Sequence, residues 1–365
     1  MQNSELISWI IERCNCVLFG QGNVTTLGLS SASLDKALAN AAWHGVLPIL
    51  MKDVEENVVG DIENREIVLK WFAVSEKSKK DFKYRLSLME HLAQEFKKAD
   101  LDVMFLKGAT LARLYPYPEC RVSSDIDYYM YGRSQESIEV LSRMGIQTSE
   151  YFNHHTQANY NGILLENHYD FLDRDNHSSN RLLDDELKAL ASEEGKKYSF
   201  SFDNSAIDNA FCMSPTMNAI FIIRHMAGHF FAESVSLRML YDWALFLEKD
   251  SKDVNWERVF ALYEKSGLIT FVRIVQGILQ KKFGLKFEGL KIVPANDSII
   301  EKVWESIMNP PQHNPYCYNS VRYLLFESKV FWDNRWKHRL VYPNESYMSL
   351  FVNYVSLYLK KKINV

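Results

Sequence analysis

The segment Phe105–Met130, FLKGATLARLYPYPECRVSSDIDYYM, governs how the rest of the chain is read. It holds an apolar run ending at Gly108, a stretch at helical spacing (ATLARLY) and an alternating aromatic run (DIDYYMY). On a strand, residues two apart project to the same side, so Asp125 and Asp127 share a face with Cα atoms roughly 6.6 Å apart. Ile126 then points the other way, into the core. Carboxylates this close repel by about 2–4 kcal/mol at an effective dielectric of about 20. A strand that aims both at one point calls for a cation, and oxygen-only donors suit Mg²⁺ or Mn²⁺. Upstream, the strand–Gly108–helix turn offers backbone N–H groups and the positive end of a helix dipole, a phosphate-binding geometry. Lys107 and Arg121 are candidate cations for the phosphates. Their structural alternatives are a surface lysine and a salt bridge that orients Asp125 or Asp127.

Working outward, SQESIEVLSRMG reads as a helix closed by Gly145. ILLENHYDF and KKYSFSF read as strands. Strands alternating with helices across residues 98–205 predict an α+β unit. Residues 1–97 read as an N-terminal helical region. There Ser33 is the expected N-cap of LDKALANAAWHGVLPILMKDVEENV, with a kink or break at Pro48. Glu63–Lys98, free of Gly and Pro, predicts one long amphipathic helix. Residues 206–365 read as a C-terminal helical domain that starts with Ser214 as N-cap and Pro215 at the first helical position. A loop at Asn309, Pro310 and Pro311 interrupts it, and it ends on the basic LKKKINV.

Of the 365 residues 47% are hydrophobic and 24% charged, the balance of a soluble globular protein. The formal net charge of -4 argues against nucleic acid held by overall charge and leaves only a local basic patch for that role. Lys329–Arg339 interleaves basic residues with Phe331, Trp332 and Trp336, as grips on single strands do. Asp333 within it and Glu327 just before it fit a half-solvated amphipathic helix better. Cys14, Cys16, Cys120, Cys212 and Cys317 are scattered and odd in number, which predicts free thiols in a reducing compartment. Glu5, Glu12 and Arg13 break the first apolar run, so it is no signal peptide. No stretch approaches the ~18 uncharged apolar residues of a membrane span. The expectation is a cytoplasmic protein with no membrane partner.

LKGATLARLYP, Arg121 and DIDYYM together resemble the uncharacterised nucleotidyltransferases of the polymerase-beta superfamily. Their pattern runs leucine-lysine-glycine-small, then arginine, then aspartate-x-aspartate on an apolar strand. Glu166-Asn167-His168-Tyr169 matches the family's later acidic residue two before a histidine and an aromatic. His225 and His229, then Arg238 and Asp242 in LRMLYDWALFL, match its histidine-bearing helix and the Arg…Asp helix after it. AAWHGVLPIL also has the family's look. The similarity spans about residues 35–250.

The resemblance implies a polymerase-beta-type catalytic core of the five-stranded kind, flanked by the two helical regions. It makes Asp125 and Asp127 metal ligands and Glu166 the third catalytic carboxylate, with Asp170 competing because it would share a strand face with His168. Lys107, Gly108, Ala109, Thr110 and Arg121 become the nucleotide-binding set, and His168, His229, Arg238 and Asp242 candidate cleft residues. His225 and His229, at i and i+4, read as cleft-lining or packing residues rather than zinc ligands. Asp242, beside Trp243, reads as a structural cap or buried pair. His154 and His155 read as loop residues. The implied reaction is Mg²⁺- or Mn²⁺-dependent transfer of a nucleoside monophosphate from a nucleoside triphosphate to an acceptor hydroxyl or amine. The acceptor, a small molecule or a macromolecule, is left open. The alternative is a nucleotide-binding or regulatory protein that kept the fold without turnover. Ala109 favours it, because the best-known superfamily members follow this glycine with Gly or Ser, while the intact DID pair argues against it.

Overall fold

In the computed structural model the chain is described at residues 3–21, 29–58, 64–149, 154–175, 177–202, 205–287, 292–309, 315 and 321–352. Cys317, Pro310, Pro311 and the basic LKKKINV end lie outside these. Four helices come first: α1 (Asn3–Phe19), α2 (Ser31–Trp43), α3 (Leu47–Val58) and α4 (Arg65–Lys98). Ser30, not Ser33, caps α2, its side chain accepting from the Ser33 backbone N–H. Of the serines in SSAS, the one just outside the helix can take the extended backbone that a cap requires. Pro48 stands second in α3, where its missing N–H costs nothing, so a new helix starts there after the turn at Gly45. The long helix α4 forms as expected.

The sheet follows. Its elements are β1 (Val103–Leu106), α5 (Gly108–Ala112), β2 (Asp125–Tyr129), α6 (Ser134–Arg143), β3 (His155–Tyr160), β4 (Ile163–His168), α7 (Ser178–Glu194), β5 (Ser199–Phe202) and β6 (Ser205–Cys212). The strand order β3-β4-β2-β1-β6-β5 gives six strands where a five-stranded kind was expected. The unforeseen strands are β3 and β6. β6 runs parallel to β1 and antiparallel to β5. β2 is antiparallel to β1 and parallel to β4, so the sheet is mixed.

The remaining described helices are α8 (Pro215–Ala232), α9 (Leu237–Lys249), α10 (Trp256–Ser266), α11 (Ile269–Lys282), α12 (Asp297–Met308), α13 (Val321–Asp333) and α14 (Arg335–Val341). Ser214 caps α8 with Pro215 at its first position, as read from the sequence. The basic, aromatic stretch near residue 330 is two helices meeting at Asn334 rather than one. Lys337 and His338 are buried there, while Trp332 is exposed. Cys14, Cys16, Cys120 and Cys212 are free thiols. Among the described residues no helix is long and apolar enough to cross a membrane.

Strand β1 is buried on both faces, and its alternation splits the interior in two. Val103 and Phe105 join Ile126, Tyr128 and Leu165 under α4 and α6. Met104 and Leu106 join Tyr129 and the apolar faces of α1–α3 and α7–α11. The sheet is therefore a middle layer, and its β2–β4 portion carries polar side chains on the face turned to α8 and α9.

Candidate active site

The chemistry collects on that face. In the parallel β2–β4 ladder Asp127 stands beside Glu166 and Tyr129 beside His168. In the antiparallel β3–β4 ladder His155 stands opposite His168 and Gln157 opposite Glu166. Adjacent strands run about 4.8 Å apart, so these side chains are neighbours. Asp125 shares the face by alternation, and Ile126 goes to the core as expected, together with Tyr128.

The charges are partly neutralised from within. Lys107 Nζ lies 2.8 Å from Asp127 Oδ1, and His168 Nε2 lies 3.1 Å from the same oxygen. Burial opposes ionisation of Asp127, but Lys107 and then His168 hold its carboxyl well below the usual range. Asp125 goes the other way: burial, then the charge of Asp127, raises it against the pull of Lys107. Burial also opposes charge on Lys107, yet Asp127 and Asp125 push its pKa up. For His168 the same contest is won by hydrogen bonds to Asp127 and Glu166, which raise it. Glu166, disfavoured as an anion by burial, is lowered by its bond with His168, and Gln157 Nε2 donates to it at 3.1 Å. Neighbouring carboxylates driven apart in pKa are what an acid–base site requires.

Among the buried atoms without a partner, one is a carboxylate oxygen. Asp127 Oδ2 is buried with no hydrogen-bond partner, a costly state for a carboxylate oxygen. Asp127, Glu166 and His168 offer donor atoms within 4.8 Å of one another, a set able to hold a metal ion. Its two carboxylates fit a hard divalent cation. His154, His155 and His168 form a second such set, with ring centroids 4.6 to 5.3 Å apart. Burial, then His168 and His155, press His154 down to about 3, so it is neutral at pH 7. Three imidazoles suit a softer ion.

A cavity of about 670 Å³ lies over this face, within the usual range for ligand sites. Lys107, Gly108, Arg121, Asp125, Glu166 and His168 line it, as do His229, Arg238 and Asp242. Asp127 lies beneath them, only 2% exposed. Two residues of the expected nucleotide set turn elsewhere. Ala109 packs against the core under α4, and the Thr110 hydroxyl donates to the Lys107 carbonyl at 2.6 Å. Lys107 (φ 44) and Gly108 (φ 39) both lie in the left-handed region, which is strained for the lysine. That backbone carries the chain from β1 into α5 and leaves the ammonium on Asp127.

Arg121 orients neither strand aspartate. Its Nε and NH2 reach Asp242 at 2.7 and 2.8 Å, Tyr115 donates to the same carboxylate at 2.8 Å, and Arg238 approaches at 3.3 Å. The buried-pair reading of Asp242 therefore stands. Burial opposes both charges, but each ion holds the other, with Arg121 raised and Asp242 lowered. Asp170 lies beyond the end of β4 and binds Lys188, not the site. A strand three residues shorter than ILLENHYDF suggests removes it from the shared face. His225 and His229 stack edge-on at 4.5 Å and both line the cavity.

His154, His155 and Gln157 were not anticipated here. His154 stands in a turn, as read, but His155 and Gln157 are on β3, their signal the period-two alternation of HTQANY, masked by a polar texture that also suits a loop. Arg224, embedded in the apolar run of α8, was missed because nothing nearby in sequence pairs with it.

A mixed sheet flanked by helices, with clustered carboxylates under a ligand-sized cavity, is consistent with a nucleotidyltransferase. A model of the uncharacterised nucleotidyltransferase family matches residues 30–284, and the chain belongs to that family. Membership carries nucleotidyl transfer as the general class of activity, with a nucleoside triphosphate as the implied substrate. No curated protein and no solved structure matches the chain.

Proposed function

We propose that the protein is a metal-dependent nucleotidyltransferase that moves a nucleoside monophosphate from a nucleoside triphosphate to an acceptor hydroxyl or amine. The observation that carries this reading is the buried, unpartnered Oδ2 of Asp127 beside Glu166, with Asp125 on the same face and the cavity above. Asp125, Asp127 and Glu166 would hold Mg²⁺ or Mn²⁺ in a polymerase-beta-type core of residues 98–205. Residues 1–97 and 206–365 would close around it. The bound ion supplies charge neutralisation on phosphate oxygens and acidifies the attacking group. Glu166, held ionised by His168 and Gln157, takes the acceptor's proton. Lys107 supplies positive charge at the strained turn, the Gly108 turn receives the triphosphate, and the buried walls exclude water.

The Lys107–Asp127 ion pair favours a second reading, a nucleotide-binding protein without turnover, because the ammonium already occupies one carboxylate oxygen. Titration of Mn²⁺, followed by the resonance of the free ion, together with pyrophosphate release across the four common nucleotides, separates these. Wild type should bind Mn²⁺ saturably, and Asp127→Asn should bind it at least ten times more weakly. Glu166→Gln should keep nucleotide-induced thermal stabilisation and lose pyrophosphate release by roughly a hundredfold or more. Asp170→Asn should change neither. At a hundredfold excess over the dissociation constant the nucleotide would stabilise by about 2.7 kcal/mol. Equal Mn²⁺ affinity in wild type and Asp127→Asn would remove the metal site, and nucleotide stabilisation without turnover would favour the second reading.

A further inference from the structure

The same cavity contains a buried cation that forms no ion pair among the described residues. Arg224, on α8, is 3% exposed and lines the cavity. Its guanidinium lies over the Tyr342 ring at 4.3 Å, and its NH2 donates to the Tyr342 hydroxyl. Its NH1 is buried without a hydrogen-bond partner, and no described carboxylate forms an ion pair with it. Arg13 and Arg121, buried to the same degree, each hold an aspartate.

The carboxylates that act on Arg224 across the cavity are Glu345 and Asp173. Glu345 is committed to His177 and to the backbone and hydroxyl of Ser179, while Asp173 Oδ1 accepts from the Asp175 backbone N–H. Burial lowers Arg224 to about 10, which leaves it charged at neutral pH. Gly228, one turn along, also lines the cavity, and a Cβ there would touch Arg224 NH2 at 3.8 Å, so the glycine puts no side chain between the guanidinium and the cavity. Phe171, Phe221 and Phe231 supply apolar walls. A charge taken from water without a partner is costly and signals a missing partner.

We propose that Arg224 binds an oxyanion of the acceptor, a carboxylate or a phosphate, so that the acceptor is an anionic hydroxyl or amino compound. The claim that this anion belongs to an acceptor rests on the nucleotidyl-transfer reading. This anion is set apart from the triphosphate because the groups that act on Arg224 are Glu345 and Asp173, whereas Asp125, Asp127 and Glu166 act on Lys107 at the Gly108 turn.

The test titrates acetate and methyl phosphate separately into the full-length protein by ligand-observed NMR, at fixed ionic strength. Each titration is run with and without saturating Mg²⁺ and an α,β-methylene nucleotide analogue. Wild type should bind one of the two anions saturably with the analogue present, and which one binds identifies carboxylate or phosphate. Arg224→Leu should weaken that anion by roughly thirtyfold or more, the lower end for removing one partner of a buried charge pair, while Arg224→Lys keeps measurable binding. Arg224→Leu should melt no lower than wild type, because leucine needs no counter-ion there. Its nucleotide-induced stabilisation should be unchanged. Saturable binding of neither anion by wild type, or equal binding in wild type and Arg224→Leu, overturns the proposal. Weaker nucleotide binding with unchanged anion binding also overturns it, by assigning Arg224 to the triphosphate. If the nucleotide itself fails to bind, the nucleotidyl-transfer reading falls, but Arg224-dependent anion binding without nucleotide still decides this site.

Discussion

Replacing Asp242 with alanine should be among the most damaging single changes to this protein, and the structure sets the scale. Arg121 and Asp242 are 2% and 4% exposed and are joined by two hydrogen bonds of 2.7 and 2.8 Å. Tyr115 and Arg238 complete the shell around the carboxylate. Alanine would leave the buried Arg121 guanidinium facing the part-buried Arg238, and their repulsion is already felt: after burial, Arg121 is the largest influence lowering Arg238. Breaking one side of a buried pair costs about 3–5 kcal/mol, and the stranded Tyr115 hydroxyl adds about 1–3 kcal/mol. The terms overlap, so the expected loss is about 4–6 kcal/mol, a large part of a typical stability of about 5–15 kcal/mol. Arg121→Met should cost less, about 1–3 kcal/mol, because Asp242 keeps Arg238 and Tyr115. Arg121→Met/Asp242→Ala should fall short of the sum of the single changes. Urea midpoints for the four proteins, with Asp242→Asn as a milder variant, measure this. If Arg121→Met leaves the midpoint alone and abolishes nucleotide-induced stabilisation, Arg121 is a phosphate contact and the structural argument fails.

Two further expectations concern stability. Burial lowers His44 from 6.5 to about 4, so between those pH values the folded state binds fewer protons than the unfolded state. Stability should therefore fall as pH drops through that window, with His44 contributing about 2.6 kcal/mol of the loss by about pH 4.5. Urea midpoints of His44→Gln should flatten by that amount, and curves parallel to wild type would refute it. Gly267 ends α10 at φ 80, and a Cβ there would stand 2.5 Å from Pro343 Cγ. Gly267→Ala should cost about 1–3 kcal/mol through strain and overpacking, and an unchanged melting temperature would show that the loop around Pro343 yields freely.

How far the sequence could be read depended on whether the deciding contact was local. The β1–turn–α5 passage, the DID strand and the caps at Ser214 and Gly145 follow from short-range rules, and they form as expected. The β4 strand was visible, yet its end was not: Asp170 leaves the sheet because Lys188, on α7, captures it. β3 and β6 are partners of β4 and β1, and the polar composition of β3 makes sense only once its neighbour is in place. Arg121 and Asp242 are 121 residues apart, so no pattern in the chain could have chosen Asp242 over Asp125 as the arginine's partner. The same holds for Arg224, which looks like an interruption of an apolar helix until the cavity beside it is seen.

The repulsion argument that singled out Asp125 and Asp127 was sound physics with two possible answers. Carboxylates crowded on one strand face require a positive charge, but that charge can be an ion from solution or an ammonium from the chain. Lys107, set down by a left-handed backbone at the end of β1, is such an ammonium and lies 2.8 Å from Asp127 Oδ1. Charge alone therefore cannot argue for a metal. Valence can: Lys107 and His168 both engage Oδ1, leaving Oδ2 buried without a donor, while Glu166 stands beside it on the next strand. Had the lysine been a permanent substitute for a cation, the inexpensive arrangement would have bridged both oxygens of Asp127. An ammonium on one oxygen leaves the other buried without a donor, within a cluster of Asp127, Glu166 and His168 whose donor atoms a cation would satisfy. It is this geometry, rather than the aspartate pair itself, that supports the proposed metal site.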